Sequence, residues 1–393
     1  MSKWEKVPAG IVSAQRKDIV TLEPGVEYQT MGVRWYGRGA YDRGIGTTET
    51  IKAKRLFRAH KGDFVFNRID TQKGAFDVVP AALDGALATN EFPLYVVDPD
   101  QLSERFLLLY FQQSSVLAQI DVMRAGSEGR SRWKEADFEA WRIPLPSLAE
   151  QRRIVDILAA VDAQIESVAE ELDRLLPLRI RLFLDSDDLQ AVNVEELADV
   201  SQGKALPKAV QGQRIGDVSW FKIADMTGPG NEDGYTLADT RLAREHIRGL
   251  KGAVAAAGSV VFPRVGAAVL TEKKRVLDVE AAVDENHLVL TPKGGVSSEQ
   301  LLAAVESIRL SDLVQSGAVP SLNMGLIRNA QIPWPAHSSA QLDSALGKVR
   351  EEARKLRAEL SRLRAFRSAI LSSLLDQEIE IPEVYDALLG GVS

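Results

Sequence analysis

An apolar stripe with heptad spacing occurs twice in this chain and limits the possible folds more than any other feature. The first copy follows residues 143–146 (Ile-Pro-Leu-Pro), and the second follows residues 332–335 (Ile-Pro-Trp-Pro). Within each copy the steps alternate between four and three residues, which places the stripe on one face of a long helix. The members are Ile154, Leu158, Val161, Ile165, Val168, Leu172 and Leu175 in the first copy, and Leu342, Leu346, Val349, Ala353, Leu356, Leu360 and Leu363 in the second.

The two stripes are in register with each other. Every member of the second copy lies 188 positions after its counterpart, as Leu342 does after Ile154. The same offset relates Arg179 to Arg367, which lie off the stripe. A single stripe of this kind is typical of a bundle helix. Two copies in matched register indicate an internal duplication whose long helices pack on each other.

Proline pairs mark the boundaries of this duplication, because proline cannot occupy the interior of a helix. Short strands with glycine-rich turns precede each proline pair, and they indicate a mixed domain of helices and strands ahead of each long helix. We therefore predict a first domain, a central long helix, a second domain, a C-terminal long helix and a tail. Their bounds are 1–146, 147–190, 191–335, 336–378 and 379–393.

Charge is distributed unevenly along the chain. The formal net charge is −7 over 393 residues, which is unusual for a protein that binds nucleic acid. However, residues 34–73 hold 10 basic against 4 acidic residues, and residues 241–275 hold 8 against 2. Either block alone could be a solvated charged face. Their recurrence in a duplicated chain favours a shared polyanionic partner.

Composition excludes several classes of site and protein. The chain has no cysteine, so it can form no disulfide framework, thiolate metal site or cysteine nucleophile. Its four histidines, His60, His246, His287 and His337, have no ligand spacing and are predicted to be surface or loop residues. Neither a membrane span nor a signal peptide is evident, so we expect a cytoplasmic protein.

Two short segments are candidate contacts for a phosphate backbone. Residues 36–44 alternate glycine with tyrosine and arginine; glycine allows close approach of the main chain, while the side chains supply hydrogen-bond donors. The alternative is a glycine-rich hairpin with ordinary surface arginines, and the sequence leaves both open. Residues 62–68 predict a turn and a buried strand ending in Asn67 and Arg68, and residues 258–264 repeat this pattern.

These segments, taken with the layout, resemble the DNA-specificity subunits of type I restriction-modification enzymes. The resemblance is carried by residues 143–155 (Ile-Pro-Leu-Pro-Ser-Leu-Ala-Glu-Gln-Arg-Arg-Ile-Val), by residues 62–68 and by the second proline segment. It covers essentially the whole chain. The second proline segment departs from the pattern, because it lacks Leu-Ala-Glu-Gln and has one extra residue before Gln341.

The resemblance implies an α+β fold with two mixed α/β target-recognition domains. Two long helices would separate these domains and form an antiparallel coiled coil, giving a pseudo-twofold internal repeat. Each domain would read one half of a bipartite target in double-stranded DNA. The helix pair would set the gap and dock methyltransferase subunits, two of them in our expectation, with motor-nuclease subunits joining that core. S-adenosylmethionine, ATP and magnesium are then expected only on the partners, and no cofactor on this chain.

The candidate DNA-contact residues are polar, mostly basic residues of predicted loops and strand ends. In the first domain they are Arg34, Tyr36, Arg38, Tyr41, Arg43, Asn67, Arg68, Lys73, Arg130 and Arg132, and in the second Arg214, Arg264, Lys273, Lys274, Arg275, Ser321 and Asn323. Arg68 and Arg264 occupy matched positions, and both have the alternative of structural caps on the same strand.

Motifs for catalysis are not evident in the sequence. It contains neither an Asn-Pro-Pro-Tyr methyltransferase motif nor a Gly-x-x-x-x-Gly-Lys-Ser/Thr phosphate loop. We therefore predict a subunit without its own active site. The alternative is a structural or scaffold protein with coiled-coil helices and globular domains that bind proteins or glycans, and a self-contained nuclease or methyltransferase is a third hypothesis.

Overall fold

A computed structural model describes residues 4–53, 55–123, 132–315, 319–337, 339–382 and 385. Contacts divide the chain into two compact units, one made of Met1–Ile165 with Leu363–Ser393 and the other of Glu166–Arg362. Both divisions fall inside long helices, so each unit includes a part of each long helix.

The first unit is built from short strands and helices that precede the first long helix. Its strands are β1 (Glu5–Pro8), β2 (Ser13–Gln15), β3 (Ile19–Val20), β4 (Tyr28–Val33), β5 (Ala40–Gly46), β6 (Leu56–Arg58), β7 (Phe64–Phe66), β8 (Phe76–Val78), β9 (Leu87–Thr89), β10 (Leu94–Val97) and β11 (Arg142–Leu145). Its helices are α1 (Glu104–Phe111), α2 (Ser114–Met123), α3 (Glu135–Ala140) and the first part of α4 (Leu148–Leu184), with 3-10 turns at Ala9–Ile11, Thr71–Lys73 and Ala81–Leu83.

Two sheets face each other in the first unit. The strand orders are β2-β10-β7-β8 and β3-β6-β9-β4-β5. All three residues of strand β7 (Phe-Val-Phe) are buried. Because side chains alternate along a strand, both faces of β7 are therefore covered. Phe64 and Phe66 enter a core with α1 and α3, whereas Val65 enters a second core with Met31 of β4 and Ala88 of β9. The short strand predicted at residues 62–68 thus lies at the centre of the unit.

The first proline segment is a strand rather than a simple hinge. Strand β11 pairs antiparallel with β1, and Pro144 lies opposite Lys6. A two-stranded ribbon tolerates proline, since each strand has an edge that needs no N–H donor. The N-terminal segment is thereby joined to the segment that leads into α4.

The second unit contains a similar series of elements. Its strands are β12 (Leu189–Asn193), β13 (Ala198–Gln202), β14 (Val218–Phe221), β15 (Gly234–Tyr235), β16 (Thr240–Leu242), β17 (Val260–Pro263), β18 (Arg275–Leu277), β19 (Ala281–Val283), β20 (His287–Pro292) and β21 (Gln331–Pro335). Its helices are α5 (Val194–Leu197), α6 (Arg244–Gly249), α7 (Ser298–Glu306), α8 (Met324–Arg328) and most of α9 (Ala340–Leu375), with 3-10 turns at Lys208–Val210, Ile223–Thr227, Gly266–Thr271 and Leu310–Leu313.

One sheet of the second unit repeats the topology of the first. The order β13-β20-β17-β18 corresponds to β2-β10-β7-β8, with β15 added at one edge. The ribbon of β12 and β21 likewise corresponds to that of β1 and β11. The remaining sheets differ, because the second unit has β16-β14-β19 where the first has five strands. The predicted mixed α+β class is confirmed, and the duplicated framework carries different additions.

The long helices predicted from residues 147 and 336 correspond to α4 and α9. Helix α4 starts at Leu148, and the Ser147 hydroxyl accepts a hydrogen bond from the Glu150 amide at 3.3 Å. Helix α9 starts at Ala340. No member of either apolar stripe is exposed, and the buried members are Ile154, Leu158, Val168, Leu172, Leu346, Ala353, Leu356 and Leu360.

The two helices contribute to the core of each unit. In the first unit, Ile154 and Leu158 of α4 share a core with Leu371 and Leu374 of α9. In the second unit, the core includes Phe183 of α4 together with Leu346 of α9. Residues of the apolar stripes thus pack in the core of each unit.

Candidate nucleic-acid interface

The hairpin between β4 and β5 is held in one conformation by its backbone. Tyr36 has φ 62°, and Gly37 and Gly39 have φ 65° and 69°, all in the left-handed region. The Tyr36 amide donates to the Lys73 carbonyl at 2.6 Å and the Gly37 amide to the Gly74 carbonyl at 3.0 Å. A tyrosine in this region is strained, so these contacts must fix it there. The two hydrogen bonds tie the hairpin tip to the backbone at Lys73 and Gly74.

Gly39 is required at its position for a second reason. A Cβ atom there would lie 2.5 Å from Asp77 Oδ2, which accepts a hydrogen bond from the Ala40 amide at 2.6 Å. Glycine thus permits both the positive φ and the close approach of β8. These glycines, predicted to allow close approach of a phosphate backbone, are also needed for the conformation of the hairpin.

A shallow depression of about 430 Å³ gathers six of the predicted contact residues of the first domain. They are Arg34, Tyr36, Arg38, Tyr41, Arg43 and Asn67. The Arg34 guanidinium lies 4.1 Å from the centre of the Tyr41 ring, and this cation–π contact orients both side chains. Arg38 and Arg43 are exposed, and Tyr36 is 69 % exposed. The surface can offer arginine and tyrosine donors to one ligand.

Trp35 also lines this depression, although it is not among the predicted contact residues. The residue is 38 % exposed, its Nε1 donates to the Ile69 carbonyl at 3.2 Å, and Lys73 Nζ lies 4.9 Å from the ring centre. The signal was an aromatic residue directly before Tyr36 in the hairpin. An exposed indole beside cations is a surface on which a base can stack.

Other candidates in the first domain take part in internal contacts. Arg68 is 17 % exposed, pairs with Glu135 at 3.4 Å and donates to the Asn90 carbonyl. Arg132 pairs with Glu91 at 2.5 Å, and the Asn67 carboxamide accepts from the Ile69 amide at 2.9 Å. Lys73 pairs with Asp70 at 3.2 Å. These contacts match the alternative of structural caps for Arg68, and Arg130 lies outside the described residues.

Two candidates of the second domain, predicted to contact DNA, point into the protein instead. Lys274 is 4 % exposed, and its ammonium pairs with Glu272 at 2.8 Å and donates to the Ile308 carbonyl at 3.0 Å. The Arg275 guanidinium donates to the carbonyls of Asn231, Lys274 and Met226, and burial lowers its pKa. A buried cation needs such partners to offset desolvation. Neither side chain is presented to DNA.

The remaining candidates of the second domain are spread over several elements. Asn323 caps α8 by accepting from the Gly325 amide at 2.7 Å, and Ser321 pairs with Val265 in an isolated bridge. Arg264 is half-buried and donates to the Glu285 carbonyl at 3.3 Å. Lys273 is half-buried. The structure does not bring these residues together into one depression.

Arg214 is an exposed candidate of the second domain. Its side chain is 71 % exposed beside Asp239, and it lines a depression of about 560 Å³ with Arg241. Arg241 is not among the predicted contact residues, although it is the exposed member of β16 between two buried neighbours. Asp225 and Asp239 line the same depression, so its charge is mixed. Arg214 and Arg241 form the more accessible cationic surface of this domain.

His287 corrects the prediction of a surface or loop histidine. It is completely buried, with Nδ1 2.7 Å from Asp284 Oδ1 and Nε2 2.7 Å from the Tyr235 hydroxyl. Asp284 also accepts from the Ile223 amide at 3.0 Å, and the Tyr235 ring stacks on Phe221. Burial raises the pKa of Tyr235. This chain of hydrogen bonds fixes the strand ends of the second domain.

In the described part of the chain, no helix is long and apolar enough to cross a bilayer. Within the same residues, no group of histidine, aspartate and glutamate side chains is arranged to hold a metal ion.

Comparisons with known proteins fit this description. Residues 1–176 match the family profile described as the type I restriction modification DNA specificity domain. No curated protein sequence matches the chain. The crystal structure of a type I restriction-modification S subunit from M. genitalium aligns with a TM-score of 0.55 at 15% identity, covering 95% of this chain and 96% of that one.

A second structure supports the same fold. It comes from work on the structural basis of complex assembly and conformational transition of the type I restriction-modification system. It aligns with a TM-score of 0.52 at 17% identity over 95% of this chain and 97% of that one. At these sequence identities, the two solved structures establish only the fold of the chain. The match of residues 1–176 to the family profile is a similarity in sequence. Residues 1–176 thus carry a type I restriction modification DNA specificity domain, and the chain shares its fold with these solved structures.

Proposed function

We propose that each of the two domains reads one half of a bipartite target in double-stranded DNA. The observation that carries this proposal is the repeated sheet order, β2-β10-β7-β8 and β13-β20-β17-β18, combined with additions that differ between the copies. A common framework with different surfaces suits two modules that recognise different sequences. Neither module needs an active site for this task, and we propose that the chain has none.

In the first domain the hairpin of β4 and β5 is the proposed reading element. Arg34, Arg38 and Arg43 surround Tyr36 in one depression. Phosphate contacts from arginine would supply affinity and orientation, while contacts to base edges would supply discrimination. The fixed hairpin reduces the loss of conformational entropy on binding.

We further propose that the two long helices form an antiparallel coiled coil that acts as a spacer between the half-sites. In the first unit, Ile154 and Leu158 share a core with Leu371 and Leu374, and Asp162 pairs with Arg367, so the order of contacts runs in opposite directions along the two helices. A rigid spacer would raise the effective concentration of the second half-site once the first is bound.

The same proposal assigns the chemistry to other subunits. The helix pair would dock methyltransferase subunits, two of them in our proposal, and motor-nuclease subunits would join that core. S-adenosylmethionine, ATP and magnesium would be bound by those partners and not by this chain. The assembly would work in the cytoplasm, where the DNA is.

The decisive test is the methylation pattern directed by the intact complex. The full chain is purified with its methyltransferase subunits, incubated with genomic DNA and S-adenosylmethionine, and the methylated adenines are located by sequencing. We expect one asymmetric motif made of two specific parts separated by unspecified bases. A single continuous motif, or the absence of any motif, would contradict the proposal. Turnover by the isolated chain would instead support an enzyme.

A further inference from the structure

Two arginines at matched positions of the duplication each contact a helix of one domain. In the second unit, Arg179 of α4 pairs with Glu306, the last residue of α7. In the first unit, Arg367 of α9 donates from Nη2 to Gln112 Oε1 at 2.9 Å, and Gln112 directly follows α1. Arg367 lies 188 positions after Arg179, the same offset that relates the apolar stripes. The contact is therefore duplicated along with the helices.

The contacted residues are matched as well. Helices α1 and α7 are both capped at the N-terminus by a serine, Ser103 and Ser297. Gln112 and Glu306 each lie nine residues after that serine. In both units, the arginine of a long helix thus contacts the C-terminal end of the corresponding domain helix.

The charge that accompanies this contact differs between the units. Arg367 also pairs with Asp162 of α4, its Nη2 lying 2.9 Å from Asp162 Oδ2, whereas the carboxylate beside Arg179 belongs to Glu306 itself. The position that matches Asp162 is occupied by Arg350, which pairs with Asp278 at 2.9 Å. The acidic partner has therefore moved from the long helix to the domain helix. Because the contact is kept while its charges are rearranged, its position is the common feature.

The domain helices held by these arginines are central to their domains. Phe111, next to Gln112, is completely buried and stacks on Phe76 at 4.9 Å. In the first unit, Arg367, Asp162 and Gln112 line a cavity of about 730 Å³ whose other lining residues include Tyr36 and Gly37 of the reading hairpin. In the second unit, α7 is buried from Gln300 to Val305. A movement at the arginine would be passed to the domain through this helix.

We propose that Arg179 and Arg367 are positioning residues that fix the orientation of each domain on the long helices and thereby the spacing between the two half-sites. The proposal rests on the bipartite reading described above. Arginine suits the role because its planar fork binds two acceptors in a defined geometry. The competing explanation is that these arginines only stabilise their units.

The first experiment measures spacing selectivity directly. The full chain carrying Arg367→Ala or Arg179→Ala is assayed in complex with its methyltransferase subunits. The DNA substrates keep both half-sites, with the natural spacer or a spacer one base pair shorter or longer. We expect the preference for the natural spacer to fall roughly tenfold, because a small misplacement has a large effect on a pre-organised geometry. The bases preferred within each half-site should stay the same.

Matched controls separate position from general damage. Arg364→Ala and Arg181→Ala remove exposed arginines from the same helices, and Arg181 is 79 % exposed beside Asp185. Both controls should keep wild-type selectivity. Arg367→Lys keeps the charge without the fork and should give an intermediate preference if Arg367→Ala does not fold. An equal loss of methylation at all three spacers would mean a structural role only and would overturn the proposal, as would unchanged selectivity.

A second experiment tests the contact without DNA. Hydrogen exchange of the backbone amides from Leu108 to Gln112 should accelerate at least about tenfold in Arg367→Ala, because the end of α1 loses its partner. The Gln112 amide itself donates to Leu108 in the last turn of this helix. Unchanged exchange would overturn the positioning role. If the wild-type complex methylates no bipartite motif, the proposed function fails, whatever the exchange result.

Discussion

Arginine side chains of the first unit occupy two kinds of environment. Arg38 and Arg43 extend from the hairpin into solvent, while Arg68 and Arg132 pair with Glu135 and Glu91. The first kind is available for phosphate groups, since the charge is not already compensated. A guanidinium that already holds a carboxylate would have to break this pair before it could bind DNA.

Arg38 is expected to contribute to DNA affinity through charge. Arg38→Ala should weaken DNA binding by the complex and reduce the slope of log affinity against log salt by roughly 0.9, because one fewer counterion is released. Binding is measured by titration at several salt concentrations. Arg105→Ala removes an exposed cation of α1, outside the hairpin, and should leave the slope unchanged. An equal effect of both variants would favour the alternative of ordinary surface arginines.

Glu272 gives the second unit a defined dependence on pH. Burial alone would raise its pKa, but hydrogen bonds from Lys274, Leu310 and Ser311 outweigh this and lower the pKa from 4.5 to about 2. Because the folded-state pKa is depressed, the stabilisation is present above pH 4.5 and is lost as the pH falls toward 2.

Glu272→Gln should therefore lower the free energy of unfolding by about 1–2 kcal/mol at pH 7, with partial solvation limiting the effect. The difference from wild type should shrink as the pH falls through this window. Urea unfolding at a series of pH values measures it. The exposed Glu285→Gln serves as the control and should change stability little at any pH. A difference that is constant with pH would show that Glu272 does not stabilise the fold through its charge.

At the level of elements, the first turns of α4 contain both buried and exposed leucines. Leu158 is completely buried in a core with α9, whereas Leu148 at the start of the helix is 40 % exposed. Burial of the stripe gives most of the stabilisation of a long helix, since intrinsic propensity contributes little per residue. The residues that attach α4 to the first domain thus also determine the stability of the helix.

Leu158→Ala should destabilise the first unit by about 2–5 kcal/mol, because it removes apolar contacts and leaves a cavity. Leu148→Ala, the matched control at an exposed position of the same helix, should cost less than about 1 kcal/mol. Tryptophan fluorescence during urea unfolding reports this, because Trp133 and Trp141 lie in the same core as Leu158. Equal effects of the two substitutions would mean that the stripe is not packed as described.

For the molecule as a whole, two domains that read DNA independently should be exchangeable one at a time. Replacing residues 1–143 by the equivalent domain of another specificity subunit should change one half of the methylated motif and leave the other half and the spacer unchanged. The unchanged half-site is the internal control, and methylated-base sequencing of the complex reads both halves together. A change in both halves would show that the domains do not read DNA separately.

The sequence predicted those features that depend on local pattern. The start of the first long helix just after Ser147, the apolar stripe and the buried strand at Phe64–Phe66 follow from patterns along the chain. The roles of Lys274, Arg275 and His287 could not be predicted in this way. Their partners, such as Ile308, Met226 and Tyr235, come from distant positions and are brought together only by the sheets.

The ribbon of β1 and β11 places the start of the first domain beside its end, and β12 with β21 does the same for the second. A domain whose chain enters and leaves at one place can be replaced by another domain without changing the path of the rest of the chain. Recombination between related genes at the proline segments would then exchange complete, closed folds. Proteins of this design could acquire new specificities by shuffling, with no need to rebuild a core.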